Sequence, residues 1–225
     1  MDFAIFLSDR KPRLIHPLPL QGKLMQDVRN MFDRLREHVS KLISITDEEF
    51  PACTSLMIPK RVRKGTYLVQ EGDISKYLAF VTNGCLRLSV IDSKGEEHIV
   101  QFALEGWWIT DLYSFLTGKP GEYFIDALED SEALLIDSVS YEKLCTTIPK
   151  FERYFRILLQ NNYIATHRRV LASIGKSAEE RYRQMLEDYP TIVQRVAQRH
   201  IASYLGITPE ALSRIRNRMA KRPTP

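Results

Sequence analysis

No stretch of this chain approaches the roughly 20 consecutive apolar residues that a bilayer-spanning helix needs, so the sequence offers no membrane partner. Residues 1–9 hold a brief apolar patch, but no basic start precedes it and no small-residue cleavage site follows, which argues against a secretory signal. Cysteine is scarce. Cys53, Cys85 and Cys145 are odd in number, widely spaced and form no C-x-x-C pair. That argues against a zinc or iron–sulfur site and suits small buried hydrophobes in a reducing cytoplasm. The five histidines (His16, His38, His98, His167, His200) are scattered, and none belongs to a His-x-His pair with a nearby glutamate. A metal-dependent enzyme on a β-roll would need such clustering. No nucleophile–base constellation is visible either, so the expectation is a protein that is not an enzyme and binds no metal.

What is present is a chain of 225 residues with 44% hydrophobic content, enough for one large domain or two small ones. Its net charge of +4 is unevenly placed. From residue 191 onward stand Arg195, Arg199, Arg214, Arg216, Arg218, Lys221 and Arg222 against the single acid Glu210, a net of +6 that leaves −2 for the remainder. A positive segment on a near-neutral body is the electrostatic footprint of a DNA-binding module, although a solvated basic tail has the same charge.

The pattern over Gln198–Met219 separates the two. Ile201, Ala202 and Leu205 share one helical face, and Gly206 supplies a bend. Thr208 suits an N-cap, with Pro209 at the first helical position. Leu212 and Ile215 then turn inward, while Glu210, Ser213, Arg214, Asn217 and Arg218 face outward. Two surface helices around a loop would share this spacing. With the basic charge it reads as a helix-turn-helix, whose second helix enters the major groove of double-stranded DNA.

Upstream, residues 1–24 carry three prolines and little periodicity, and read as an extension, flexible or produced by start-site choice. From Met25, apolar residues recur at three and four (Val28, Met31, Phe32, Leu35, Val39, Leu42, Ile43), as an amphipathic helix requires. Thr46 before three acids marks a further short helix. From Met57 to Asp137 the period becomes two, with runs at Tyr67–Val69, Tyr77–Val81, Cys85–Ile91, His98–Phe102, Tyr123–Leu128 and Ala133–Ile136. Asn83-Gly84 reads as a type I′ hairpin. These runs predict an antiparallel roll or sandwich. Tyr141–Ser173 is helical again, with Leu158, Ala165 and Ala172 at heptad intervals. That is either a paired helix at a subunit interface or a cover for the chain's own roll.

The run GDISKYLAFVTNGCLRL (Gly72–Leu88) resembles the cyclic-nucleotide-binding β-roll. A β-roll, a long helix and a carboxy-terminal helix-turn-helix together resemble the Crp/Fnr family of bacterial transcription regulators over roughly residues 25–219. The resemblance implies an α+β fold: a jelly-roll-like sensor at 25–150, a dimerisation helix at 151–174 and a helix-turn-helix domain at 175–225. It implies a cytoplasmic homodimer that reads near-palindromic DNA, with RNA polymerase as a further partner.

On the recognition helix, Thr208, Glu210 and Arg214 match the family pattern, and Pro209 replaces a basic residue. Glutamate accepts from a cytosine amino group and arginine grips guanine O6 and N7. Glu210 and Arg214 are therefore assigned to bases, Ser213 to assist, and Gln198, Arg199 and Arg218 to phosphates. The family's β-hairpin wing is truncated or absent, since only KRPTP follows, which predicts a shallower salt dependence. Cyclic-nucleotide binders carry Gly-Glu for the ribose and Arg-Ser or Arg-Thr for the phosphate. Here Thr110-Asp111 and Gly121-Glu122 stand in those places, so cAMP control is not expected. Trp108, Thr110, Asp111, Tyr113 and Tyr123 are the candidate lining of an apolar effector pocket, or else they fill the roll. Asp111 either meets a ligand or caps a short helix at Leu112–Leu116. The effector is unknown and no cofactor is implied. The alternative reading is a small-molecule or haem sensor acting mainly through protein contacts, in which a histidine would ligate iron.

Overall fold

The computed structural model of the protein describes residues 20–221. Helix α1 (Leu20–Ser40) buries Met31, Leu35 and Val39 at four-residue spacing. It begins five residues before Met25, so the expected extension over 1–24 is helical from Leu20 on, and its earlier part lies outside the described residues. Before α2 (Glu49–Thr54), the Thr46 hydroxyl accepts from the Glu49 amide while the Glu49 carboxylate accepts from the Thr46 amide. This reciprocal cap is the one expected from Thr46 and its acids.

Eight short strands follow, with one helix between the sixth and seventh: β1 (Ile58–Val62), β2 (Tyr67–Val69), β3 (Tyr77–Asn83), β4 (Leu86–Ile91), β5 (Glu97–Ala103), β6 (Trp108–Ile109), α3 (Leu112–Thr117), β7 (Phe124–Ala127) and β8 (Ser131–Asp137). They form two antiparallel sheets in the orders β1-β8-β3-β6 and β2-β7-β4-β5. Alternate residues of β3 and β8 go to different cores. Ala79, Val81, Ala133 and Leu135 point between the sheets, and Leu78, Phe80, Leu134 and Ile136 meet the helices. Burial on both faces explains why these two strands read as continuous apolar runs.

The Asn83-Gly84 expectation needs correcting. β3 and β4 lie in different sheets, so the pair makes a corner and not a hairpin. Gly84 has φ +93° but Asn83 does not have positive φ, whereas a type I′ turn needs both. The true hairpin joins β4 to β5 through Gly95, whose amide donates to the Asp92 carbonyl at 2.9 Å. The strand β1 escaped the sequence reading because it is an exposed edge containing Pro59, with only Val62 buried.

After the roll, α4 (Ser138–Thr147) starts on Asp137, whose carboxylate accepts from the Ser140 amide. The helix read over Tyr141–Ser173 is in fact two, separated at Ile148-Pro149, and α5 (Lys150–Gly175) is the long one. Phe151, Tyr154 and Phe155 of α5 enter the same core as Leu35 and Phe80. Then come α6 (Ala178–Asp188), with a Ser177/Glu180 capping box, α7 (Ile192–Arg195), α8 (Gln198–Leu205) and α9 (Pro209–Lys221). Among the described residues no helix is long and apolar enough to cross a membrane. Residues 222–225, on which the wing expectation rests, lie outside the described residues.

Candidate nucleic-acid interface

Helices α8 and α9 pack as the sequence requires. Ile201, Ala202, Leu205, Leu212 and Ile215 are buried in one small core with Tyr182 and Met185 of α6. Gly206 closes α8 at φ +65°, and the Thr208 hydroxyl accepts from the Ala211 amide at 3.2 Å. Burying one face leaves the other outside: Thr208, Glu210, Ser213, Arg214, Asn217 and Arg218 are all exposed. The Glu210 carboxylate lies below its ordinary range because its own backbone amide, the Thr208 side chain and the charge of Arg214 all favour the anion. It is held ready to accept a hydrogen bond. Gln198 and Arg199 sit exposed in the first turn of α8, and Gln198, Ser213 and Asn217 share a groove between α6, α8 and α9.

Among the described residues, two of the cations counted in the sequence, Arg195 and Arg218, are paired with carboxylates. Arg195 donates to both Glu105 oxygens at 2.9 Å and also bonds Glu129. Arg218 lies 3.7 Å from a Glu179 oxygen, while remaining 63% exposed. Arg195 thus fastens the helical domain to the roll, so the outward charge of the reader is smaller than the count suggested.

The expected effector residues are drawn into different parts of the roll. The Trp108 indole N–H donates to the Tyr154 hydroxyl at 2.8 Å, and its ring packs on Phe80 and Phe155. Thr110 donates to the Tyr77 carbonyl and pairs with Ser75. Asp111 is 1% exposed and caps α3: one oxygen accepts from the Ser114 amide at 3.0 Å, the other from the Glu122 amide at 3.2 Å. Of the two roles read for it, the structure shows the cap. Tyr113 is exposed, and Tyr123 packs against the core between the sheets. A cavity of about 540 Å³ opens elsewhere in the roll, beneath the Gly72–Tyr77 turn. Leu68, Val69, Ala79, Ile109 and Leu135 line it, with Asp73 and Lys76 among its polar groups. Half of its lining lies in the Gly72–Leu88 run, but sequence reasoning did not see a cavity there, because the other walls come from β2, β6, β7 and β8.

All three thiols are buried, and burial pushes Cys53 and Cys85 up to about 12 and Cys145 to about 11. His98 bonds Asp92 at 2.8 Å in the β4–β5 turn, and His167 stacks on Tyr163.

A jelly-roll joined by a long helix to an outward-facing helix-turn-helix defines a DNA-binding transcription regulator with a sensor-type roll. Residues 59–147 match the cyclic nucleotide-binding domain family. The chain is 29% identical over 178 residues to the fumarate and nitrate reduction regulatory protein of Vibrio cholerae, covering 72% of this chain and 68% of that one. Among solved structures it resembles FixK2 from Bradyrhizobium japonicum (TM-score 0.64, 21% identity, 73% of this chain and 84% of that). It also resembles a regulator of the Crp/Fnr family from Eubacterium rectale (TM-score 0.60, 17% identity, 78% and 84%). The chain is thus similar to transcription regulators of the Crp/Fnr type over about three quarters of its length.

Proposed function

We propose that the chain acts as a homodimer that reads near-palindromic double-stranded DNA, one α9 in each major groove, without control by a cyclic nucleotide. The exposed face of α9 carries this reading: Glu210, Ser213 and Arg214 stand together on the side opposite Leu212 and Ile215. Glu210 and Arg214 read base edges and Ser213 assists, while Gln198, Arg199 and Arg218 meet phosphates. Residues 20–148 form the sensor, α5 the dimerisation helix and 176–221 the reader. RNA polymerase is the partner on promoter DNA.

The second half of α5 supports the dimer. Phe151, Tyr154 and Phe155 cover the chain's own roll, but beyond them Leu159, Tyr163, Ile164, Val170, Leu171 and Ile174 are 47–80% exposed. An apolar surface of this extent on one helix suits a second copy of the helix. Two-fold pairing there sets the two α9 helices about 34 Å apart, one turn of DNA. The double substitution Leu171→Glu/Ile174→Glu is expected to leave the circular dichroism spectrum unchanged and to convert the dimer to monomer in sedimentation. A variant that stays dimeric would place the interface elsewhere.

Cyclic nucleotide control is disfavoured by the electrostatics of α3. Its amino-terminal amide positive charge already faces the Asp111 carboxylate, and the same carboxylate occupies the Glu122 amide. The segment Gly118–Glu129 offers Lys119 and no arginine for a phosphate. An effector entering the roll has the cavity under Gly72–Tyr77, whose lining suits a largely apolar molecule.

The test is fluorescence anisotropy of the effector-free protein on pooled promoter duplexes, across a salt series, with and without cAMP. Sequence-selective binding that ignores cAMP is the expected result. Binding that appears only with cAMP would overturn the reading of Asp111, and binding without sequence preference at any salt would overturn the reader.

A further inference from the structure

The DNA reader is fastened to the open edge of the roll by contacts that neither base reading nor dimerisation uses. β5 is the edge strand of its sheet. Its outward polar groups would ordinarily face solvent or a further strand. Here the Ser203 hydroxyl of α8 accepts from the Ile99 amide and donates to the Glu97 carbonyl, each at 2.9 Å. One side chain thus takes the place that a neighbouring strand would fill. β5 also carries a bulge: Leu88 faces Gln101 and Ser89 faces Ile99, leaving Val100 without a partner on β4. The Val100 carbonyl accepts from the Arg169 guanidinium, which comes from α5. The same guanidinium lies over the Tyr204 ring of α8 at 5.0 Å, and Tyr204 in turn packs on Phe102 of β5. A cation over an aromatic face and a charged donor on a carbonyl are both favourable, and half-burial strengthens them.

We propose that Arg169 and Ser203 are positioning residues: together they lock α5, β5 and α8 into one joint that fixes the reader's orientation relative to the dimer helix. Three observations support this over a merely covering role. The joint joins three elements far apart in sequence. Arg169 is half-buried, among exposed neighbours on α5. The outward face of α9 stays free while the joint is closed, so the joint aims the reader and does not mask it. Since both readers must meet two half-sites at once, a fixed orientation makes affinity depend sharply on half-site separation.

This inference rests on the dimeric DNA-binding reading above, and two measurements keep the failures apart. In hydrogen–deuterium exchange on the free protein, Arg169→Ala and Ser203→Ala are expected to speed exchange of residues 97–103 and 198–205 together by about tenfold, the effect of losing one good hydrogen bond. A palindromic duplex is then selected from a random pool with the wild-type protein, and versions with the half-sites moved apart by five base pairs are compared. The wild type should discriminate strongly between spacings, while both variants should bind a single half-site normally and lose about tenfold of that discrimination. Unchanged exchange in both variants would overturn the joint. Changed exchange with unchanged spacing discrimination would overturn its positioning role. Failure of the wild type to select any duplex would sink the DNA-binding reading instead, leaving exchange as the judge of the contacts. Should Arg169→Ala fail to fold, Arg169→Lys keeps the charge but loses the planar stack on Tyr204, and is read the same way.

Discussion

Arg214→Glu should abolish sequence-selective DNA binding while leaving the dimer intact. Arg214 is exposed on α9, four residues after Glu210, and has no ion-pair partner among the described residues. Its fork is therefore free for a guanine edge, a contact worth about 1–3 kcal/mol, or roughly 5–150-fold. A dimer loses that contact at both half-sites. The inserted carboxylate also faces phosphates, so selective affinity should fall by roughly a hundredfold or more. Arg214→Ala removes the contact without the repulsion and should cost less. Both are measured by anisotropy on the selected duplex, with sedimentation as the control for dimerisation. A charge-reversed protein that kept its sequence preference would remove Arg214, and with it the chosen face of α9, from the reading site.

The second large effect concerns folding. Gly84→Ala is expected to destabilise the roll severely, since two costs coincide there. The backbone sits at φ +93°, where a side chain is strained by about 1–3 kcal/mol. An added methyl carbon would also lie 2.3 Å from the Ser131 Oγ and 2.7 Å from the Ser131 Cα, inside any tolerated contact. Overpacking of this kind adds about 1–3 kcal/mol. For a chain of this size the sum lowers the melting temperature by on the order of 10 °C. Scanning calorimetry beside Gly95→Ala makes the comparison clean. Gly95 has similar positive φ, but nothing lies within 4 Å of its added carbon. Equal losses in the two variants would show that backbone strain, and not the approach to Ser131, is what Gly84 relieves.

Gly84 also marks where the sequence stopped being readable. A dipeptide signal reports local backbone geometry, and Asn-Gly does bend the chain here. Whether the bend returns the strand to its own sheet or sends it to the other depends on Ser131, 47 positions away. The same divide runs through the rest of the molecule. The helix-turn-helix was legible because its turn, cap and core residues fall within about twenty positions. The effector segment was not. Trp107 and Trp108 look like one aromatic cluster in sequence, yet Trp107 packs on Tyr189 beside the reader, and Trp108 on Phe80 and Phe155 beneath α5. Alternation sends neighbours to opposite sides of a strand. The strand β6 is only two residues long and gives no periodic pattern to reveal this. The basic charge of the last segment was countable, but the spending of Arg195 on Glu105 and Glu129 depends on tertiary pairing.

The way α8 covers the rim of β5 bears on what each half of the molecule is when taken by itself. Cys85, Ile99 and Phe102 belong to the same apolar core as the reader's helices, and Ser203 takes the Ile99 amide and the Glu97 carbonyl of the strand's outer edge. A sensor shortened after α5 would therefore bare both a greasy flank and an unsatisfied strand margin, the combination from which intermolecular sheet growth starts. The helical domain is thus also a cover for this rim of the roll.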